Sequence, residues 1–160
     1  SEWAACADTV SFCFSKGLGA PIGSMVVGSN EVIEEARRLR KRLGGGMRQV
    51  GVIAAAARVA IETGPQRLHE DHANARRLAE GLADLHGEAV DLTKVETNMV
   101  YVDVRPFGKR GPDVTEALAT KGVITLPGAG GIMRFVTHRD VDAPGIERAL
   151  EALRQVLTTG

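Results

Sequence analysis

The chain has 160 residues, 44% of them apolar and 25% charged, and its twenty basic and twenty acidic side chains leave no formal net charge. This is the composition of a globular protein, which excludes a disordered or fibrous chain. Without a basic excess there is no ground for a nucleic-acid or anionic-membrane partner.

The length suits one ordinary domain or parts of two. The most apolar stretch, Val50 to Ala57, is too short to span a bilayer and runs straight into Arg58. Cys6 and Cys13 show neither metal-ligand spacing nor a disulfide framework, a usage that fits a reducing cytoplasm. Cys13, inside an apolar run, reads as an inert core thiol. Ser1 to Asp8 lead straight into a strand with no opening element. That reads as a fragment, a split subunit or a trimmed product.

Thr9 to Phe14 is rich in β-branched and aromatic residues and reads as a strand, as does Ser24 to Gly28. Between them, Ser15 to Gly23 holds three glycines and a proline, so the backbone must turn sharply there. Asn30 is expected to cap a helix from Glu31 to Leu43, with acids early and Arg37 to Arg42 late, an order that complements the helix dipole. Gly44-Gly45-Gly46 ends it.

A second helix is expected from Met47 to Glu62; apolar nearly all round, it should be buried. Gly64-Pro65 breaks it, and a third helix runs from Gln66 to Leu85. Beyond it, Ala89 to Leu92, Met99 to Val104, Val123 to Thr125 and Ile132 to Val136 read as strands. Helices are expected over Pro112 to Thr120 and Asp142 to Leu157. The pattern predicts α/β architecture: the tail of an α/β domain over residues 1–63, then a small α+β domain over 64–160.

Lys16 stands at the end of the first strand beside bare glycine backbone, where an amine can form a Schiff base with a carbonyl cofactor. Gly44 to Gln49 combines backbone N–H groups with the donor fork of Arg48, a set that suits a phosphate and equally describes a flexible joint. Lys41 could add charge to that pocket or simply belong to a solvated helix face. Alternation places Arg134 on one strand face with Ile132 and Val136, where a substrate carboxylate would satisfy it; an edge strand in water is the other reading. His138 could line the same opening. His69-Glu70-Asp71-His72 departs from the metalloprotease spacing and is read as a polar helix face, and His86 as a solvated residue.

Taken together, three segments are similar to those of a known family. Asp8 to Ser24 resembles the cofactor-lysine segment of the low-specificity L-threonine aldolases. Lys41 through Gly44-Gly45-Gly46-Met47-Arg48-Gln49 resembles that family's glycine-rich stretch, and Arg134-Phe135-Val136-Thr137-His138 its late substrate-carboxylate strand. Thr97-Asn98-Met99-Val100 matches the way its small domain begins a strand.

The resemblance implies the aspartate-aminotransferase-like fold and pyridoxal 5'-phosphate, held as a Schiff base on Lys16. It further implies that Arg48 binds the cofactor phosphate, that Lys41 lies near the active site and that Arg134 grips the amino-acid carboxylate. The implied reaction is retro-aldol cleavage of L-threonine or L-allo-threonine to glycine and acetaldehyde, in a cytoplasmic homodimer or homotetramer. The family's chains run to roughly twice this length, so an N-terminal half is the expected partner. A β-eliminating lyase, an amino-acid racemase and a non-catalytic fragment serving assembly are the competing readings.

Overall fold

A computed structural model describes residues 2–159, which form two compact units that divide between Leu68 and His69. The architecture is mixed helix and sheet.

In the first unit β1 (Thr9–Cys13) pairs antiparallel with β2 (Ser24–Gly28), Thr9 opposite Gly28 and Cys13 opposite Ser24. Val10 and Phe12 turn to the half-buried side of β1, while Cys13 is exposed rather than a core thiol, because alternation sends it to the open face. Helix α1 (Asn30–Arg42) follows. Its cap is Ser29, one residue earlier than expected, whose hydroxyl accepts from the Val32 amide.

Helix α2 (Gly51–Thr63) starts four residues later than its apolar pattern suggests. Gln49, with φ of 49°, takes a left-handed conformation that interrupts the helix. Nor is α2 buried all round: only Ala57 and Ala60 are, and Val52, Val59 and Ile61 stand in solvent. The first unit supplies one small cluster to cover it, Phe14, Ala20, Ala57 and Ala60, flanked by Phe12 and Leu18.

The second unit has a proper core. Helix α3 (Leu68–Leu85) begins at the division, and its residues from His69 onward belong to this unit together with β3 (Met99–Asp103), α4 (Gly111–Ala119), β4 (Ile132–Val136) and α5 (Ala143–Thr158). β3 and β4 form an antiparallel pair with Tyr101 opposite Arg134. Val100, Val102, Met133 and Phe135 face inward onto Leu78, Leu82, Ile146 and Leu153. Asp142 caps α5 by accepting from the Gly145 amide at 2.8 Å.

Two expected strands are absent. Ala89 and Val90 are buried, but the segment makes a single ladder-like bond, Asp103 N–H to the Ala89 carbonyl at 2.8 Å, so it packs without becoming a strand. Val123 instead gives its amide to the Leu118 carbonyl, closing α4, and Ile124 is 92% exposed. Two polar expectations also change. Asp71 is buried within α3 rather than lying on a polar face, and His86 packs edge-on against Phe107 at 5.5 Å. No helix among the described residues is long and apolar enough to cross a membrane.

Candidate active site

Lys16 sits on a loop whose shape is set by backbone hydrogen bonds. The Phe14 amide donates to the Gly23 carbonyl, the Ala20 amide to Phe14, and the Gly19 amide to the Lys16 carbonyl at 2.8 Å. The last of these closes a tight turn that needs the positive φ of Gly19, 79°. Phe14 is 4% exposed and packs edge-on against Phe12, which pins the near end of the loop to the small core. At the far end Leu18 lies so near Gly64 that an added Cβ would meet it at 3.0 Å. The loop is therefore held at both ends while the Lys16 side chain is exposed, with no ion pair or hydrogen bond to its amine among the described residues. A cleft of about 390 Å³, walled by Phe14, Ile53, Ala57 and Ile61, lies in the same unit, and Lys16 is not part of its lining.

The glycine run plays a different part from that expected. It lies at the C-terminal end of α1, and two of its amides are spent there: Gly44 donates to the Lys41 carbonyl and Gly45 to Arg40 at 2.8 Å. Gly46 matters for another reason. The Lys41 side chain folds along it, so that an added Cβ would meet Lys41 Cδ at 2.8 Å and Nζ at 3.7 Å. Lys41 and the glycine run are thus brought together. Arg48 follows in the turn before α2, exposed and without an ion pair among the described residues.

Arg134 belongs to the second unit. It shares a face with Ile132 and Val136 as expected, but that face is the outer one, since Met133 and Phe135 point into the core. No burial cost therefore bears on its charge. Across the sheet it faces Tyr101, with Met99 and Asp103 diagonal to it, and it has no ion pair among the described residues. A carboxylate bound there would find a forked donor that no ion pair occupies.

Arg134 and His138 both line a cleft of about 300 Å³, together with Ile124, Leu126 and Val141. His138 Nδ1 accepts from the Asp140 amide at 3.3 Å and lies 3.6 Å from that residue's carboxylate. Thr137, 2% exposed, anchors the end of β4 by donating to the Asp71 carbonyl at 2.6 Å.

Two residues of the Arg134 face were missed in the sequence: Tyr101 and Asp103. Alternation along Met99 to Asp103 signals which residues share a face. Only the pairing register tells that they lie beside Arg134.

Low-specificity L-threonine aldolase 1 of Arabidopsis thaliana is 40% identical across 96% of this chain and 43% of its own length. The low specificity L-threonine aldolase of Escherichia coli strain K12 is 42% identical across 84% and 38%. Among solved structures, the serine palmitoyltransferase of Sphingomonas wittichii superposes with a TM-score of 0.73 at 19% identity, over 95% of this chain and 40% of that one, which shows the fold. The chain spans about two fifths of the length of the curated relatives it matches. A family model described as Beta-eliminating lyase matches residues 1–105, about two thirds of the chain, and the protein belongs to that family.

Proposed function

We propose that this chain is the C-terminal part of a pyridoxal 5'-phosphate-dependent aldolase that cleaves L-threonine or L-allo-threonine to glycine and acetaldehyde. The observation that carries the reading is the Lys16 loop, an exposed and unpaired amine held at both ends by hydrogen bonds and packing. An amine presented in this way suits covalent attachment of a carbonyl cofactor.

The remaining residues fit the same group. Arg48 and Lys41 bring two cations to the glycine-rich turn, and Gly46 leaves the space through which the Lys41 side chain runs. Such a set favours a phosphate. When bound, the cofactor supplies an electron sink for the carbanion left by Cα–Cβ cleavage.

The chain's own residues hold and orient. Lys16 would hold the cofactor covalently, and Arg48 and Lys41 would oppose the phosphate charge. Arg134 would take the substrate carboxylate with two parallel N–H donors and so orient the substrate. Positioning of this kind contributes on the order of several kcal/mol to the rate.

The N-terminal half of the enzyme is the proposed partner, in a cytoplasmic homodimer or homotetramer. Its support is the share of the relatives' length that this chain spans and the apolar surface of the first unit, where Met25, Val27, Val52 and Val59 are exposed.

The complete enzyme, treated with borohydride in the presence of pyridoxal phosphate and mapped by peptide mass, should carry its adduct on Lys16. Lys16→Ala should lower turnover of L-threonine by at least about a thousandfold, as loss of a covalent catalyst does. An adduct at another lysine would remove the cofactor assignment. Pyruvate or 2-oxobutyrate formed without acetaldehyde would move the enzyme to β-elimination.

A further inference from the structure

The outer face of the antiparallel β3–β4 pair carries one acid, and that acid is kept occupied. Met99, Tyr101 and Asp103 alternate along β3 opposite Val136, Arg134 and Ile132, which makes Asp103 a diagonal neighbour of Arg134. Diagonal neighbours across a sheet stand about 7–8 Å apart, within reach of long side chains. An aspartate in that position is a ready ion-pair partner for Arg134. Paired so, it would fill the donor fork that a substrate carboxylate needs.

Asp103 instead pairs with Arg105. The Arg105 Nε donates to the two carboxylate oxygens at 2.9 and 3.1 Å, and Nη2 donates to Oδ2 at 2.6 Å. The Arg105 amide adds a bond to Oδ1 at 2.9 Å. These bonds, those of the guanidinium first, hold the Asp103 carboxyl below its ordinary value.

Arg105 is itself seated in a path made for it. Its side chain crosses Gly131, where an added Cβ would meet Arg105 Cγ at 2.6 Å and Cδ at 2.8 Å. Gly131 has φ of 85°, and its carbonyl accepts from the Val104 amide at 3.0 Å, which ties the turn before β4 to the end of β3. The absence of a side chain at 131 thus lets Arg105 reach Asp103.

We propose that Arg105 is a positioning residue: by occupying Asp103 it leaves Arg134 unpaired and available to a substrate carboxylate. The inference rests on the reading of Arg134 as the carboxylate anchor. Released from Arg105, Asp103 becomes an intramolecular competitor for the Arg134 fork. Substrate binding then weakens while the chemical step is left alone.

The test is steady-state kinetics of the complete enzyme with L-threonine. Arg105→Gln should raise KM about fivefold, what an exposed ion pair competing for one guanidinium is worth, with kcat within about twofold. Adding Asp103→Asn to that variant should return KM to the wild-type value, because the competitor is gone. Should Arg105→Gln not fold, Arg105→Lys with and without Asp103→Asn makes the same comparison, since an ammonium cannot reproduce the fork.

A raised KM that persists in the double variant, or a KM that Arg105→Gln leaves unchanged, overturns the proposal. Arg134→Gln is the separate control. If it leaves KM unchanged, the carboxylate reading of Arg134 falls, and the role given to Arg105 falls with it. If it raises KM while Arg105→Gln does not, only the role of Arg105 is lost.

Discussion

Gly128 and Gly130 share a left-handed backbone, with φ of 68° and 60°, yet their surroundings differ. A Cβ on Gly128 would press directly against the Ile132 carbonyl oxygen and come within 2.9 Å of Met133 Cα, whereas nothing stands within 4 Å of one on Gly130. Both alanine substitutions carry left-handed strain of about 1–2 kcal/mol. Only Gly128→Ala adds a collision with the backbone that leads into the Arg134 strand. Urea unfolding should therefore show a loss of about 1 kcal/mol for Gly130→Ala and of at least about 3 kcal/mol for Gly128→Ala. Equal losses would mean that the turn yields freely and does not tie down β4.

The glycine content of this turn is visible in the sequence, but its consequence is not. The β-branched Val123 and Thr125 suggested a strand because a strand is recognised by residue type. It forms only where a partner offers a ladder, and here the Val123 amide is taken by Leu118. The cationic residues of the proposed site drew notice because each sits in a distinctive local segment. Asp103 and Arg105 were not, since their meaning depends on what lies across the sheet.

Helices α3 and α5 approach closely at one point. An alanine Cβ at Gly81 would meet Leu150 Cδ2 at 2.6 Å and Cδ1 at 2.8 Å, with Leu150 only 6% exposed. Beside this contact Arg77 makes a two-pronged pair with Glu147 at 2.7 and 2.8 Å, but both side chains are about half exposed. That pair is worth at most about 1 kcal/mol. Packing decides the junction.

Gly81→Ala gains about 1 kcal/mol of helix propensity, while overpacking a filled interior costs typically 1–3 kcal/mol. The expected net effect is destabilising. Leu150→Ala alone should cost about 2–5 kcal/mol through the cavity it leaves. Combined, the two should cost less than their sum, because the new methyl occupies part of that cavity. Thermal unfolding of the four proteins measures the coupling, and strict additivity would show that the helices do not meet at Gly81. At this scale the sequence was informative where a helix opens on a side-chain cap, as in α1 and α5. It was misleading at α2, where an apolar pattern continues through Met47 to Val50 but the left-handed Gln49 prevents the helix from following.

The two units differ in what they bury. Among the described residues the second gathers a continuous core from α3, β3, α4, β4 and α5, including Leu82, Val102, Leu118, Met133 and Leu153, none of them measurably exposed. The first has four buried apolar side chains among the described residues, three of them alanines. Its sheet is a single two-stranded hairpin, an arrangement of marginal stability in water without further strands or a covering layer. Apolar burial contributes roughly 25 cal/mol per Å², so a core this small cannot offset the entropy of ordering its chain.

Residues 69–160, produced alone, should accordingly unfold in one cooperative transition by urea or heat, with dispersed amide resonances beforehand. Residues 1–68 alone should show no such transition and should bind a hydrophobic dye through the exposed faces of β2 and α2. On the proposed reading, supplying the N-terminal half should bring the first unit into a cooperative fold and remove the dye signal. A first unit that folds cooperatively alone would show that the Lys16 loop is built by its own hydrogen bonds and small core. The apolar surface of α2 would then need a different explanation from completion by the rest of the enzyme.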